Sequence, residues 1–171
     1  ASKMGVPQRR ERVFFICLRK DLGNNFLYQK DMFTVLPKIN MNFNENLILW
    51  GEILNNNSKE REISSHDFNI WKNRKHGDIG FETINERVFN KKNSRFNSKF
   101  LYKNKVANTV TAKDDCVLFD YPRRRDNLEV IKCGSFPQDY NFLNVKPHYL
   151  IGMSVPPLMT ARIANEVYEQ W

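Results

Sequence analysis

The sequence has no apolar run long enough to cross a membrane and few of the residues that build disulfides or metal sites. A membrane helix needs about 18 or more consecutive apolar residues, and no such run occurs among the 171 residues. Residues 1–4 show no apolar signal-peptide region. The three cysteines, Cys17, Cys116 and Cys133, are odd in number and far apart, which argues against a disulfide framework and is typical of a reducing cytoplasm. The three histidines have no metal-ligand spacing relative to these cysteines, so the sequence predicts no metal site.

The chain does carry enough apolar residues for a core and a surplus of positive charge. Its length suits one domain, or one domain with part of another, and 41% of its residues are apolar. The net charge of +8 favours an anionic partner such as a nucleic acid. Residues 71–105 hold ten basic side chains against three acidic ones, with aromatic residues interleaved. This pattern fits a surface that follows a phosphate backbone, although we expect the aromatic side chains to pack a small β core and most of the basic ones to be ordinary surface.

Residues 5–14, Gly-Val-Pro-Gln-Arg-Arg-Glu-Arg-Val-Phe, lead directly into the apolar run 13–18. A short run rich in β-branched and aromatic residues predicts a strand that is buried on both faces. Such a strand would anchor Gln8, Arg10 and Arg12 on a rigid element. Guanidinium and amide groups in fixed positions suit recognition of a planar or anionic group.

Three stretches of the chain resemble, in order, the DNA cytosine-5 methyltransferase family. Gln-x-Arg-x-Arg after Gly-Val-Pro and before an apolar strand is similar to motif VIII of that family. Residues 135–140, Ser-Phe-Pro-Gln-Asp-Tyr, and residues 151–157, Ile-Gly-Met-Ser-Val-Pro-Pro, are similar to later motifs, the last one being motif X. Ordered matches at both ends of a chain are far more specific than one motif. The middle of the chain then corresponds by position to the family's target-recognition domain.

The resemblance implies an α+β fragment. We expect a small mixed β-rich target-recognition domain together with one strand and the terminal helix of an α/β Rossmann-like methyltransferase domain. Residues 1–37 would be the motif VIII strand and a linker, residues 38–122 the recognition domain, and residues 123–171 the motif IX–X segment that returns to the catalytic domain.

Local patterns predict several elements within this frame. The alternation of residues 106–112 predicts a strand, with residues 116–120 as its partner. The terminal helix is predicted to start at Pro156 and Pro157, because proline is tolerated in a first turn. The other predicted elements are a short helix over 46–54, a helix over 66–75 capped by the serines at 64 and 65, a short helix over 128–132 capped at 126–127, and a common face of the terminal helix formed by Leu158, Ala161, Ala164, Tyr168 and Trp171.

The resemblance also implies a chemistry. A cytosine is flipped out of the duplex, a cysteine thiolate attacks ring carbon six, and the methyl group comes from S-adenosylmethionine. Arg12 is then expected to contact the base or its backbone, with Gln8 and Arg10 in support. Thr109 and Val110 match a Thr–apolar pair that ends the family's recognition domain and helps to support contacts to the target. The further expected DNA contacts are Lys91, Lys92 and Arg95.

The chain departs from the family pattern at two motifs. Motif IX usually reads Arg-x-Leu-Thr-x-Arg-Glu before Gly-Phe-Pro, and here Arg123 and Glu129 match while Leu-Thr is missing. Motif X usually has an asparagine where this chain has Met153, so a contact made by that asparagine cannot be carried over. Ser154 remains and is expected to offer its hydroxyl or backbone N–H to S-adenosylmethionine.

The family's nucleophile lies in a Pro-Cys dipeptide, and none of the three cysteines here follows a proline. The family's Glu-Asn-Val and Gly-rich cofactor loop are also missing, so we expect an incomplete cofactor site and no activity from this chain alone. A missing N-terminal catalytic half would be joined covalently or supplied as a separate subunit. Three hypotheses follow. The first is that the chain is the C-terminal part of a methyltransferase that acts on duplex DNA in a bacterial or phage-like restriction-modification system. The other two are a subunit of a split methyltransferase and a non-enzymatic sequence-specific DNA-binding module. A tRNA substrate is conceivable within the family, but the long basic segment favours duplex DNA.

Overall fold

The computed structural model describes residues 1–23, 28–30, 32, 35–37 and 39–170. Helices dominate these residues. The elements are a 3-10 turn at Ser2–Met4, α1 (Lys20–Gly23), β1 (Tyr28–Lys30), β2 (Val35–Pro37), α2 (Trp50–Ile53), α3 (Ser65–Trp71), α4 (Phe81–Phe89), β3 (Phe100–Leu101), β4 (Val117–Leu118), α5 (Asn127–Cys133), α6 (Pro147–Met153) and α7 (Pro157–Gln170).

The strands form two small sheets. β1 and β2 pair antiparallel, and β3 and β4 pair parallel, with Phe100 opposite Val117 and Leu101 opposite Leu118. Successive side chains of a strand point to opposite faces. Accordingly, Phe100 and Val117 join one apolar cluster, whereas Leu101 and Leu118 join another. The parallel sheet is therefore buried on both faces and separates two parts of the interior.

The expected β-rich character of residues 38–122 is wrong for the described residues, where the regular elements are three helices and two two-residue strands joined by irregular segments. Of the aromatic residues that we assigned to a β core, Phe81 and Phe89 lie on α4, whereas Phe100 lies on β3. Phe81, Ile84 and Asn85 are buried on one side of this helix, at the i, i+3, i+4 spacing of a helical face. The helical period thus dominates over the β propensity of the aromatic residues.

The predicted buried strand over residues 13–18 is also wrong. These residues form no strand, and Val13 and Phe15 are 81% and 89% exposed. Among the described residues, no backbone hydrogen bond joins residues 12–18 to another segment. A strand needs a hydrogen-bonded neighbour, and without one among the described residues the run forms no regular structure and exposes most of its apolar side chains.

The predicted pairing of residues 106–112 with 116–120 does not occur. Within 106–112 the only β-type contact recorded among the described residues is a parallel bridge between Arg9 and Asn108. Residues 116–120 contribute only β4, whose partner is β3. Side chains rather than a neighbouring strand bind the backbone of the 108–110 segment, as the site geometry shows.

The predicted helices are confirmed, with shorter or shifted bounds. Ser64 caps α3, where its side chain accepts a hydrogen bond from the N–H of Asp67 at 3.2 Å. Asp126 caps α5 and forms a capping box with Glu129. The helix predicted over 46–54 is limited to α2, and the helix predicted over 66–75 ends at Trp71. Helix α6, which begins with Pro147, was not predicted.

Helix α7 is present, but its predicted face is wrong. Met159 is its buried residue, and the half-buried Leu158 and Ile163 pack beside it. The predicted positions Ala161, Ala164 and Tyr168 are exposed, and Trp171 lies outside the described residues. The buried stripe therefore follows an i, i+4 spacing from Met159 rather than the spacing that we predicted.

Three apolar clusters make up the interior. The largest joins α2, β3, β4, α5 and α6. A second joins α3, α4 and the parallel sheet around Phe81 and Ile84. A third joins Met4 and Val6 to Met159 of α7. No helix in the described ranges is both long and apolar enough to cross a bilayer, and these same residues contain no group of three or more metal-binding side chains.

Candidate active site

Gln8 connects three segments that are far apart in the sequence. Its side chain is fully buried. The amide nitrogen Nε2 donates to the carbonyl oxygen of Cys133, at the end of α5, at 2.7 Å. The amide oxygen Oε1 accepts from the N–H of Val110 at 3.0 Å. Both ends of the amide are therefore used for architecture.

Arg10 makes a second, stronger connection. Its guanidinium donates to the carbonyl oxygen of Val110 at 2.9 Å and to those of Gly152 and Ser154 at 3.0 and 2.5 Å. Hydrogen bonds from a charged donor are stronger than neutral ones. Burial lowers the pKa of Arg10, and the nearby charge of Arg12 lowers this pKa further. Arg10 thus joins residues 108–110 to the turn between α6 and α7.

Gly152 allows this turn to approach the 108–112 segment closely. A Cβ atom on Gly152 would lie 2.3 Å from the backbone nitrogen of Ala112 and 2.3 Å from the carbonyl carbon of Thr111. Both neighbours are backbone atoms and cannot rotate away. Any side chain at position 152 would push the two segments apart.

A cluster of buried charges holds the same segment from the other side. Arg125 donates to the carbonyl oxygen of Asn108 at 2.9 Å and to that of Thr109 at 3.5 Å. Its guanidinium is paired with the buried carboxylate of Asp114, which also accepts from Arg61 at 3.2 Å. We did not predict from the sequence that Arg125, Asp114 and Arg61 hold this segment. The run of arginines at 123–125 and the neighbouring aspartates at 114–115 were the only available signal.

Arg12 differs from Gln8 and Arg10 because its side chain is exposed. Its one recorded hydrogen bond is to the carbonyl oxygen of Glu11, at 2.7 Å. The side chain lies at a cavity of about 240 Å³ that also contacts Phe14 and Met159. The guanidinium therefore retains donors for another molecule.

A larger open cleft of about 940 Å³ lies next to this cavity, and Met4, Met41 and Phe43 line both. Arg9 and Thr109 line the larger cleft. The Thr109 hydroxyl donates to the carbonyl oxygen of Arg9, which holds the two residues together. The side chain of Val110, in contrast, is fully buried in the largest apolar cluster.

The model of the C-5 cytosine-specific DNA methylase family matches residues 1–169. The chain belongs to this family. Comparison with curated proteins and with solved structures gave no match. Members of the family methylate cytosine in DNA and use S-adenosylmethionine. The match covers the converging stretches around Gln8, Thr109 and Gly152, which we identified from their motifs.

In this family member ion pairs hold the stretch that resembles motif IX, residues 123–129. Arg123 forms two hydrogen bonds of 2.8 Å to the buried carboxylate of Glu129. Arg124 pairs with Asp67 at 3.1 Å, and Arg125 pairs with Asp114. Each of three consecutive arginines therefore has a different carboxylate partner. Buried charges require such pairing, which explains why the three arginines tolerate their location.

Ser154 is the residue of the stretch similar to motif X that we expected to contact S-adenosylmethionine. The hydroxyl and the backbone N–H of Ser154 both donate to the carbonyl oxygen of Ile151, at 3.0 and 3.2 Å, so the hydroxyl retains only its acceptor capacity. Met153, at the position where the family usually has asparagine, is 69% exposed and offers only a weak thioether acceptor. Ser154 and Met153 thus offer acceptors but no free O–H or N–H donor to S-adenosylmethionine, and no reaction step is assigned to the described residues through it.

The remaining expected DNA contacts lie away from this convergence, between α4 and β3. Lys91 and Lys92 are exposed. Arg95 is ion-paired with the buried carboxylate of Asp67 at 3.0 Å. Neither lysine has an ion-pair partner among the described residues, whereas Asp67 already balances part of the charge of Arg95.

Proposed function

We propose that this chain provides the base-holding and DNA-recognition part of a DNA (cytosine-5-)-methyltransferase. The complete enzyme would transfer a methyl group from S-adenosylmethionine to a flipped cytosine in a specific duplex site. The observation that carries the proposal is the pair of buried side chains, Gln8 and Arg10, that join residues 108–110 to the turn at 152–154 and leave Arg12 exposed. Two of the three polar side chains of motif VIII thus support the third.

Arg12 is the group that we propose to contact the flipped base or its phosphate. A guanidinium is planar, stays charged and offers parallel donors, which suit a carbonyl oxygen or a phosphate. The buried hydrogen bonds of Gln8 and Arg10, which we call the clamp, fix the backbone up to two residues before Arg12. The geometry of a base contact then depends on buried residues and needs little adjustment on binding.

The described cysteines do not suit the role of nucleophile. Cys116 and Cys133 are buried, and burial raises the pKa of Cys133 to about 12 and also raises the pKa of Cys116. A nucleophilic cysteine needs an accessible thiolate with a lowered pKa. Cys17 is exposed but follows Ile16 rather than a proline. We therefore propose that the attacking thiolate comes from a catalytic part outside this chain.

The exposed apolar run supports that proposal. Val13 and Phe15 expose most of their surface, and a backbone whose N–H and C=O groups have no backbone partner in another described segment can pair with the edge of another sheet. We propose that residues 13–18 pack against the catalytic part, whether it is joined covalently or is a separate subunit. This packing would place Arg12 next to the nucleophile.

For DNA recognition we propose residues 38–122, with Thr109 at the cleft and the lysines at 91 and 92 along the phosphate backbone. Arg95 would contribute less because Asp67 balances its charge. A restriction-modification context would explain a need for sequence specificity. The second candidate function, a sequence-specific DNA-binding module without catalysis, is favoured by the buried state of Cys116 and Cys133.

Substitution of Arg12 tests the proposal, with Arg19 as the matched control. Both side chains are exposed and lie on the same segment, but Arg19 pairs with Asp21 at 2.6 Å and is remote in sequence from the clamp. In the complete protein, Arg12→Ala is expected to lower methyl transfer to target DNA by about 10²-fold or more, the usual size for a lost positioning contact, while the folded state is kept. Arg19→Ala is expected to retain wild-type turnover.

Two outcomes would contradict this assignment. Wild-type turnover in the Arg12→Ala protein would show that Arg12 does not serve the reaction. Sequence-specific DNA binding by the complete wild-type protein without any methyl transfer would favour the non-enzymatic DNA-binding module.

A further inference from the structure

Three successive backbone carbonyls are bound by two buried guanidiniums. The carbonyl oxygens of Asn108 and Thr109 accept from Arg125, and that of Val110 accepts from Arg10. In a sheet, a neighbouring strand would supply alternate donors of this kind. Here the arginines replace the strand, so their positions determine where the segment lies.

Arg125 is itself fixed by Asp114. Both side chains are fully buried, and the guanidinium binds both carboxylate oxygens, one of them through Nε at 3.1 Å. Arg61 supports the pair by donating to the backbone carbonyl of Asp114 at 3.1 Å and to that of Arg125 at 3.0 Å. Burial disfavours the charge of Arg125, but the carboxylate of Asp114 outweighs this effect and raises the pKa of Arg125.

Arg125 stands where the resemblance to motif IX predicts the leucine of Leu-Thr. In this chain those two positions hold Arg125 and Asp126. Asp126 caps α5, which is a role that a threonine side chain can also fill. A leucine at position 125 would fill space but would donate no hydrogen bond to Asn108 or Thr109. The carbonyl contacts thus depend on the arginine.

We propose that Arg125, neutralised by Asp114, is a positioning residue that holds Thr109 at the edge of the cleft and thereby sets the turnover and the target discrimination of the methyltransferase. The Thr109 hydroxyl donates to the carbonyl oxygen of Arg9, and the next carbonyl oxygen, that of Val110, accepts a hydrogen bond from Arg10. A displacement of the 108–110 segment is therefore transmitted to the backbone that carries Arg12. This inference rests on the proposed function.

The test uses the complete enzyme with two matched double variants. Arg125→Met with Asp114→Asn removes both charges of the fully buried pair and leaves Arg61, whose side chain is 23% exposed, to be solvated by water. Asparagine tolerates the positive φ of Asp114, which is 45°. Arg123→Met with Glu129→Gln is the control, because it removes the other buried arginine–carboxylate pair. Arg123 binds the carbonyl oxygen of Asn55 rather than those of residues 108–109. Glutamine at position 129 keeps the capping box of α5. Arg125→Lys keeps the charge but loses the planar fork.

Two readouts are needed for each variant, hydrogen exchange of the amides in residues 107–111 and steady-state methyl transfer to the target and to single-mismatch sites. For the Arg125/Asp114 variant we expect faster exchange in this segment, a kcat lowered by about ten-fold or more and weaker discrimination against mismatches. The Arg123/Glu129 variant should keep wild-type exchange in this segment and wild-type kcat at temperatures where it is folded. Arg125→Lys should recover only part of the loss, because a point charge cannot bind Asp114 and two carbonyls together.

Each other outcome would overturn the inference. Unchanged exchange in residues 107–111 would mean that Arg125 does not hold the segment. Faster exchange with unchanged kcat and discrimination would mean that the held position is not used in the reaction, and full rescue by lysine would mean that charge alone matters. A wild-type enzyme without methyl transfer would instead refute the proposed function, and with it the inference that rests on it.

Discussion

Substitution of Arg10 by alanine is predicted to be among the most destabilising single changes in motif VIII. The guanidinium makes hydrogen bonds of 2.9, 3.0 and 2.5 Å to the carbonyl oxygens of Val110, Gly152 and Ser154. Hydrogen bonds that involve a charged group each contribute about 1.5–3 kcal/mol to stability. Because the three bonds share one side chain, they do not add fully, and we expect Arg10→Ala to lower the free energy of unfolding by about 3–5 kcal/mol.

For a protein of this size each kcal/mol corresponds to about 2–4 °C in Tm, so the Tm should fall by roughly 10 °C. Urea and thermal unfolding, each followed by circular dichroism, measure the change in the complete protein. Arg9→Ala is the matched control, since Arg9 is adjacent and exposed, and its substitution should change the free energy of unfolding by no more than about 0.5 kcal/mol. Equal unfolding midpoints for Arg10→Ala and Arg9→Ala would refute the reasoning, because they would show that the buried guanidinium does not join the two segments.

Two further predictions concern the DNA-binding surface and the cysteines. Joint replacement of Lys91 and Lys92 by alanine should weaken DNA binding for all sequences and reduce the slope of the logarithm of the binding constant against the logarithm of salt concentration by about 1.8. Fluorescence anisotropy over a salt series measures this slope. An unchanged slope would mean that neither lysine contacts phosphate. In the folded protein at about pH 8, iodoacetamide should label neither Cys116 nor Cys133, because burial blocks access to both thiols and raises the pKa of both. Mass spectrometry reads the labels, and labelling of Cys133 in the folded protein as fast as in the urea-unfolded protein would contradict its burial.

The parts of the fold that depend on local signals were predictable from the sequence. Ser64 and Asp126 are capping residues followed by helical patterns, and α3 and α5 begin where these residues indicate. The two prolines at 156 and 157 marked the start of α7 correctly. Such signals act within a few residues, and tertiary contacts did not override them.

The parts that depend on distant partners were not predictable. Residues 13–18 have the composition of a buried strand, but composition does not reveal whether a neighbouring strand exists. Residues 106–112 alternate like a strand, yet Gln8, Arg10 and Arg125 bind their backbone instead. These contacts connect residues about a hundred positions apart or depend on a buried ion pair, and single-sequence patterns carry no information about them.

The candidate site was predictable where a motif carried it. The resemblance identified the stretches around Gln8, Thr109 and Ser154, and the structure brings these stretches together. It gave the base contact to Arg12 and supporting roles to Gln8 and Arg10, but it did not indicate that Arg10 is buried against the carbonyl oxygens of three residues. Asp114 lay outside every motif, and its role depends on a turn with positive φ that sequence reasoning does not indicate.

The close approach of Gly152 to residues 111–112 has a consequence for engineering new target specificity. Chimeras that exchange recognition segments between related enzymes must join chains at positions where no tight complementarity is broken. A junction before Asn108 would retain the contacts of Arg125, Arg10 and Gly152 with residues 108–112. An insert that extended through Ala112 would have to reproduce both the carbonyl positions and a backbone path that leaves no room for a Cβ atom at position 152, so the transferable unit ends at about residue 107.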